Sequence, residues 1–130
     1  MPDLPTVAIV DDDEAVREAL GDLLMVSGLT CHAFAGAAPF LAARTECRFD
    51  CLVTDIRMPG MTGIELVERL HDEGAELPVI ILSSVLDRQA RTHALSLGVH
   101  AWLTKPVSDE QLLGAIATAI GSSSGPGGRR

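Results

Sequence analysis

The chain has 130 residues, 47% of them hydrophobic and 22% charged, which suits one domain with its own core and is too short for two of ordinary size. Ten Lys and Arg against eighteen Asp and Glu give a formal charge of −8, and aromatics make up only 3% with no Tyr. A chain that repels phosphate and lacks stacking platforms is a poor direct binder of nucleic acid.

No apolar run reaches the roughly 18 to 20 residues of a membrane span, and the amino terminus has no signal pattern. Cys31, Cys47 and Cys51 form no CxxC pair and the four histidines are scattered. This fits thiols in a reducing, cytoplasmic compartment better than disulfides or zinc.

In chain order, Val7–Val10 is an apolar run of strand length. Val16, Leu20, Leu23, Leu24 and Ser27 then share one helical face, with Gly28 as its stop. Weaker alternation over Thr30–Phe34 predicts a second strand, and Cys51–Thr54 a third. Thr62, with Glu65 three residues on, forms a capping box before Ile64, Val67 and Leu70. Val79–Leu82 is the fourth strand, after which Asp87 is placed to cap a helix carrying Ala90, Ala94, Leu95 and Leu97. Ala101–Leu103 is a short fifth strand, and Ser108 with Gln111 repeats the capping signature ahead of Leu112, Leu113, Ile116 and Ile120.

Continuous apolar strands are covered on both faces, which implies a parallel sheet. Five βα units predict an α/β fold, a doubly wound (βα)5 flavodoxin-like three-layer sandwich; the strand order 2-1-3-4-5 is assigned from its frequency. The folded domain is expected over residues 1–121. Residues 122–130, Ser-Ser-Ser-Gly-Pro-Gly-Gly-Arg-Arg, read as a flexible tail or the start of a linker.

Ligands of such sheets bind beyond the carboxyl ends of the strands. There the chain carries Asp11, Asp12 and Asp13 after the first strand, Asp55 after the third, Ser83 and Ser84 after the fourth, and Thr104 and Lys105 after the fifth. Asp13 is expected to cap the next helix. The strand order brings Asp11 and Asp12 to Asp55, and three carboxylates in one cleft repel unless a cation joins them. Hard oxygen ligands in an open cleft favour Mg²⁺. Lys105 and Ser83 add an ammonium and a hydroxyl, the electrostatic equipment of phosphoryl transfer, and a carboxylate is itself a competent nucleophile.

The segments VAIVDDDEAVREALGDLL, DCLVTDIRMPGMTGIELVERL, LPVIILSS and LTKP, in this order and spacing, resemble the receiver domain of bacterial two-component response regulators from Thr6 to about Ile120. The similarity is greatest to the FixJ-like, LuxR-type subgroup. The resemblance implies that Asp55 is the phosphoacceptor for a sensor histidine kinase or phosphotransfer protein. It implies that Asp12 binds Mg²⁺ directly, Asp11 through water, and Arg57 through its backbone carbonyl. It assigns Ser83 and Trp102 as switch residues, Lys105 as the phosphate-binding lysine, and a cis bond to Pro106.

The same resemblance places the changing surface on the fourth helix, fifth strand and fifth helix, including Arg88, Arg91 and His100, with homodimerisation there on phosphorylation. His100 otherwise reads as an exposed loop histidine. Ser83 stands where Thr is commoner, Trp102 where Phe or Tyr is usual, and Ser84-Val85-Leu86-Asp87 where the subgroup has Gly-His-Gly-Asp. Val85 offers no polar group to orient a hydrolytic water, so self-dephosphorylation is expected to be slow.

The expected role is thus a phosphoacceptor switch rather than a turnover enzyme, either alone or as the receiver half of a regulator with a helix-turn-helix output domain. A small Mg²⁺-dependent phosphatase is a weaker alternative, since Arg57 stands where such enzymes carry a second acid. A flavodoxin-type carrier is weaker still, because the acids after the first strand would repel a flavin phosphate.

Overall fold

The computed structural model describes residues 5–84 and 87–124. Val85 and Leu86, on which the expectation of slow dephosphorylation rests, and residues 125–130 of the expected tail lie outside the described residues. Along these residues five strands alternate with five helices: β1 (Thr6–Val10), α1 (Glu14–Val26), β2 (Thr30–Phe34), α2 (Ala37–Ala43), β3 (Cys51–Asp55), α3 (Gly63–Asp72), β4 (Val79–Ser83), α4 (Arg88–Ser96), β5 (Ala101–Thr104) and α5 (Asp109–Ser124). All pairings are parallel and the order is β2-β1-β3-β4-β5, as expected.

The alternation of side chains along each central strand explains the three layers. Val7 and Ile9 of β1 face a core completed by Leu24 of α1 and by Leu112, Ile116 and Ala119 of α5. Their neighbours Ala8 and Val10 face the opposite core, closed by Phe40 of α2, by Leu66, Val67 and Leu70 of α3, and by Ala94 of α4. Central strands β1, β3 and β4 are buried nearly throughout, whereas edge strand β2 has its middle residues His32 and Ala33 exposed. That difference is why β2 alternates in sequence and the others read as solid apolar runs.

The helix boundaries follow local chemistry. Asp13 caps α1 by accepting from the Ala15 and Val16 amides, and Thr62 and Glu65 close the reciprocal box on α3. Asp87 accepts from Ala90 N, and Ser108 and Gln111 exchange backbone bonds at the start of α5. Gly28, just past α1, has φ of +85°, the left-handed conformation that lets the chain turn into β2.

Four details differ from the sequence expectations. Ser27 is exposed and bonds the Leu23 carbonyl rather than extending the apolar face of α1. Leu95 is 44% exposed because Ala94 beside it faces the core, and adjacent helical residues do not share a face. Helix α5 continues to Ser124, past the expected boundary at residue 121. His100 is half-buried, its backbone amide bonded to the Val79 carbonyl, because it enters β5 directly.

Candidate functional site

At the carboxyl end of β1 the chain makes a tight acidic loop fixed by hydrogen bonds. The Asp11 amide donates to the Phe34 carbonyl at 3.1 Å, which prolongs the β1–β2 pairing by one residue. Asp11 Oδ1 accepts from the Asp13 amide at 2.9 Å, and the Asp11 carbonyl accepts from Arg17 Nη1 at 2.7 Å. Asp13 turns its own carboxylate to the start of α1, as expected for a cap. Asp11 is therefore buried while Asp12 stays exposed.

Asp55 ends β3 beside this loop. Its Oδ1 accepts from the Ile56 amide at 2.7 Å, and Lys105 Nζ lies 3.4 Å from its Oδ2 and 3.9 Å from Asp11 Oδ2. One carboxylate oxygen from each of Asp11, Asp12 and Asp55 falls within 4.8 Å of the others. Asp11 and Asp55 thus share one ammonium, with the Asp12 carboxylate close by. Burial pushes the Asp11 carboxyl above its usual range; the Asp13 amide opposes this, Asp55 and Asp12 reinforce it, and Lys105 lowers it. A cluster with surplus negative charge, oxygen donors only and one exposed side fits a hard divalent cation that keeps some of its water.

Lys105 is aimed by the sheet. Its amide donates to the Ser83 carbonyl at 2.7 Å, which continues the β4–β5 ladder, and the Lys105–Pro106 peptide is cis. Ser83 is buried at the end of β4. A small cavity of about 80 Å³ opens beside Asp55, lined also by Ile56, Arg57, Ser83, Asp87 and Ala90. Trp102, one strand over, pairs in register with Ile81 and is half-buried against the core under α3 and α4.

The structure therefore brings Asp11, Asp12, Asp55, Ser83 and Lys105 to one end of the sheet, with Arg57 at the rim. Arg88 and Arg91 lie exposed on α4, while His100 sits at the opposite, amino-terminal end of β5. A cleft of about 520 Å³ also lies at that far end, among the loops entering β3 and β4, away from the carboxylates.

Sequence reasoning missed two residues that shape the site. Arg17 grips the acidic loop, and the signal was an arginine one turn into a helix whose flanks, Asp11 to Glu14 and Glu18, are otherwise acidic. Gly63 begins α3 directly against the backbone of Asp55; an isolated glycine after a cap carries no such signal.

Residues 7–117 match the family model of the response regulator receiver domain. The chain is 39% identical over 127 residues to the transcriptional regulatory protein FixJ of Azorhizobium caulinodans, covering 98% of this chain and 60% of that protein. It is 39% identical over 114 residues to the response regulator protein TmoT of Ectopseudomonas mendocina, covering 88% of this chain and 52% of that one. The crystal structure of FixJ-N superposes with a TM-score of 0.84 at 36% identity, covering 93% of this chain and 96% of that one. The chain thus spans between half and two thirds of the length of these two regulators. Among the described residues no helix is long and apolar enough to cross a membrane.

Proposed function

Because the chain belongs to the response regulator receiver domain family, we propose that it is a phosphoacceptor switch that takes a phosphoryl group from a sensor histidine kinase or phosphotransfer protein onto Asp55. The observation that carries this reading is the meeting of Asp11, Asp12 and Asp55 around Lys105, 3.4 Å from Asp55 Oδ2. Mg²⁺ suits the donor set: Asp12, Asp55 and the Arg57 carbonyl would hold it directly and Asp11 would act through water. When bound it supplies positive charge against the phosphoryl oxygens.

The chain's own residues do the rest. The Ile56 amide fixes the Asp55 carboxylate, one oxygen of which forms the new O–P bond as the P–N bond of the donor phosphohistidine breaks and the imidazole leaves with the electron pair. Lys105 stabilises the charge on the transferring oxygens. The product carries about −1.5 to −2 where the Asp55 carboxylate carried −1, and it adds three phosphoryl oxygens that accept hydrogen bonds. The Ser83 hydroxyl then turns toward the phosphoryl group, and Trp102 moves inward and alters the surface of α4, β5 and α5. That surface is the proposed site of homodimerisation, and the switch is a phosphorylation-biased two-state equilibrium.

The test is intact mass after incubation with Mg²⁺ and acetyl phosphate. One hydroxylamine-labile phosphoryl group is expected, absent from Asp55→Asn and from a chelator control; no gain under conditions that phosphorylate another receiver overturns the reading. A second reading extends the first: the coverage of only 60% of a relative named as a transcriptional regulator favours this chain as the receiver half of a longer regulator. Its helix-turn-helix output domain would then follow residue 130, and sequencing the reading frame beyond Arg130 tests this.

A further inference from the structure

We propose that Arg17 is a positioning residue of the acidic site, whose guanidinium sets the path of the Asp11–Asp12 peptide and so the geometry with which the carboxylates receive a divalent cation. The inference rests on the Mg²⁺-dependent reading of the site given above. Its basis is the 2.7 Å bond from Arg17 Nη1 to the Asp11 carbonyl, a short contact in which a permanently charged donor meets the backbone acceptor of a buried residue.

Besides the Lys105 ion pair, three hydrogen bonds hold Asp11, each by a different group: the Phe34 carbonyl accepts from its amide, its Oδ1 accepts from the Asp13 amide, and its carbonyl accepts from Arg17. Two of these bonds lie on the side of the residue toward β1 and the turn. The Asp13 amide spans Asp12 from the far side, whereas the Arg17 bond is made to the very peptide that joins Asp11 to Asp12, the exposed member of the trio. The Asp11 carbonyl belongs to a residue 2% exposed, so losing its charged donor favours rotation of that peptide toward water. Such a rotation carries the Asp12 side chain with it. Arg17 is also one turn inside a helix capped by Asp13, so the same stretch of α1 anchors both ends of the loop.

Electrostatics alone demands the opposite outcome, and this makes the idea testable by sign. Arg17 is a cation beside a cation site, and deleting it would tighten binding of a divalent ion if charge were its only contribution. A positioning role requires weaker binding.

The experiment is calorimetric titration of the full chain with MgCl₂, for the wild type, Arg17→Ala and Arg17→Lys, with circular dichroism and urea unfolding of each metal-free protein. Arg17→Ala is expected to weaken Mg²⁺ binding by about tenfold or more, the range set by outer-shell partners of metal ligands. Arg17→Lys, which keeps the charge and one donor, is expected to lie between Ala and wild type, while its metal-free stability matches wild type. Should the alanine variant fail to fold, the lysine variant carries the test, with weakened binding in a fully folded protein expected. Wild-type binding with equal or tighter binding in the folded variants overturns the role of Arg17 and leaves the proposed function standing. A wild type that neither binds Mg²⁺ nor gains a phosphoryl group overturns both.

Discussion

A Cβ added at Gly63 would lie 2.2 Å from the carbonyl oxygen of Asp55 and 3.0 Å from Ile56 Cα. The first residue of α3 therefore rests on the backbone of the proposed phosphoacceptor, and its amide bonds the Ile56 carbonyl at 2.9 Å. The clash is with backbone, which cannot swing aside as a side chain would. Gly63→Ala is expected to cost about 1 to 3 kcal/mol, the range for overpacking a buried site, and to slow phosphorylation by acetyl phosphate through displacement of Asp55. Urea midpoints and the phosphorylation rate check both parts; a variant that loses neither would mean the helix start can shift freely.

Lys105 has the opposite electrostatic sign from the carboxylates it touches, 3.4 Å from Asp55 Oδ2 and 3.9 Å from Asp11 Oδ2. Lys105→Ala is expected to leave Mg²⁺ binding unchanged or tighter, because a competing cation is gone. Phosphorylation is expected to fall by about 100-fold or more, the scale for removing one charge-stabilising group in a transition state. Calorimetry and intact mass against time separate the two effects. Parallel loss of both would assign Lys105 to shaping the site rather than stabilising transferred charge.

The sheet was legible because its central strands are buried on both faces, so that Val7–Val10, Cys51–Thr54 and Val79–Leu82 stand out as apolar runs, and because caps such as Thr62, Asp87 and Ser108 have local chemistry. The carboxylates, Ser83 and Lys105 were legible because this fold puts the residues after its strands in one place. Helix α2 was not singled out: it has seven residues, Pro39 lies in its first turn, and its contribution to packing is mainly Ala37 and Phe40. Phe40 meets Phe34 and Phe49 at centroid distances of 5.8 and 5.6 Å, a tertiary contact with no local signature. The contacts of Arg17 and Gly63 were hidden for the same reason, since each depends on the direction of a neighbouring backbone.

The thiols of Cys47 and Cys51 should differ sharply in reactivity. Cys47 is exposed, whereas Cys51 is buried in β3 and its thiol is pushed up to about 12, by burial first and the Asp50 charge second, against a bond to Leu52. Iodoacetamide is expected to modify Cys47 in the native protein and Cys51 only on unfolding, as peptide mapping will show. The unfolded thiol titrates near 9.0, so the native state retains a proton that the unfolded chain has lost. Stability from this group is complete below that pH and falls through the window up to about 12, by about 1.4 kcal/mol per pH unit. Wild type should therefore lose more stability than Cys51→Ala between about pH 8 and about pH 10.5 in urea titrations; equal losses would show that Cys51 ionises freely in the fold.

Helix α4 is thinly anchored to the rest of the fold. Ala94 is its one buried residue, and its side-chain hydrogen bond to α3, between His93 Nε2 and Glu68 Oε2 at 2.7 Å, joins side chains that are 47% and 45% exposed. Such a surface pair contributes little. The amino-terminal cap, where Asp87 accepts from Ala90 N at 3.0 Å, therefore carries an unusual share of the stability of α4. Asp87→Ala is expected to cost about 1 kcal/mol, which raises the open population of α4 about fivefold. Amide hydrogen exchange should accelerate by that factor across the backbone of α4 and leave β1 and β3 unchanged. Equal acceleration in the central strands would mean that α4 opens only with the whole domain, and that it is too tightly coupled to the sheet to move as the responsive element of a switch.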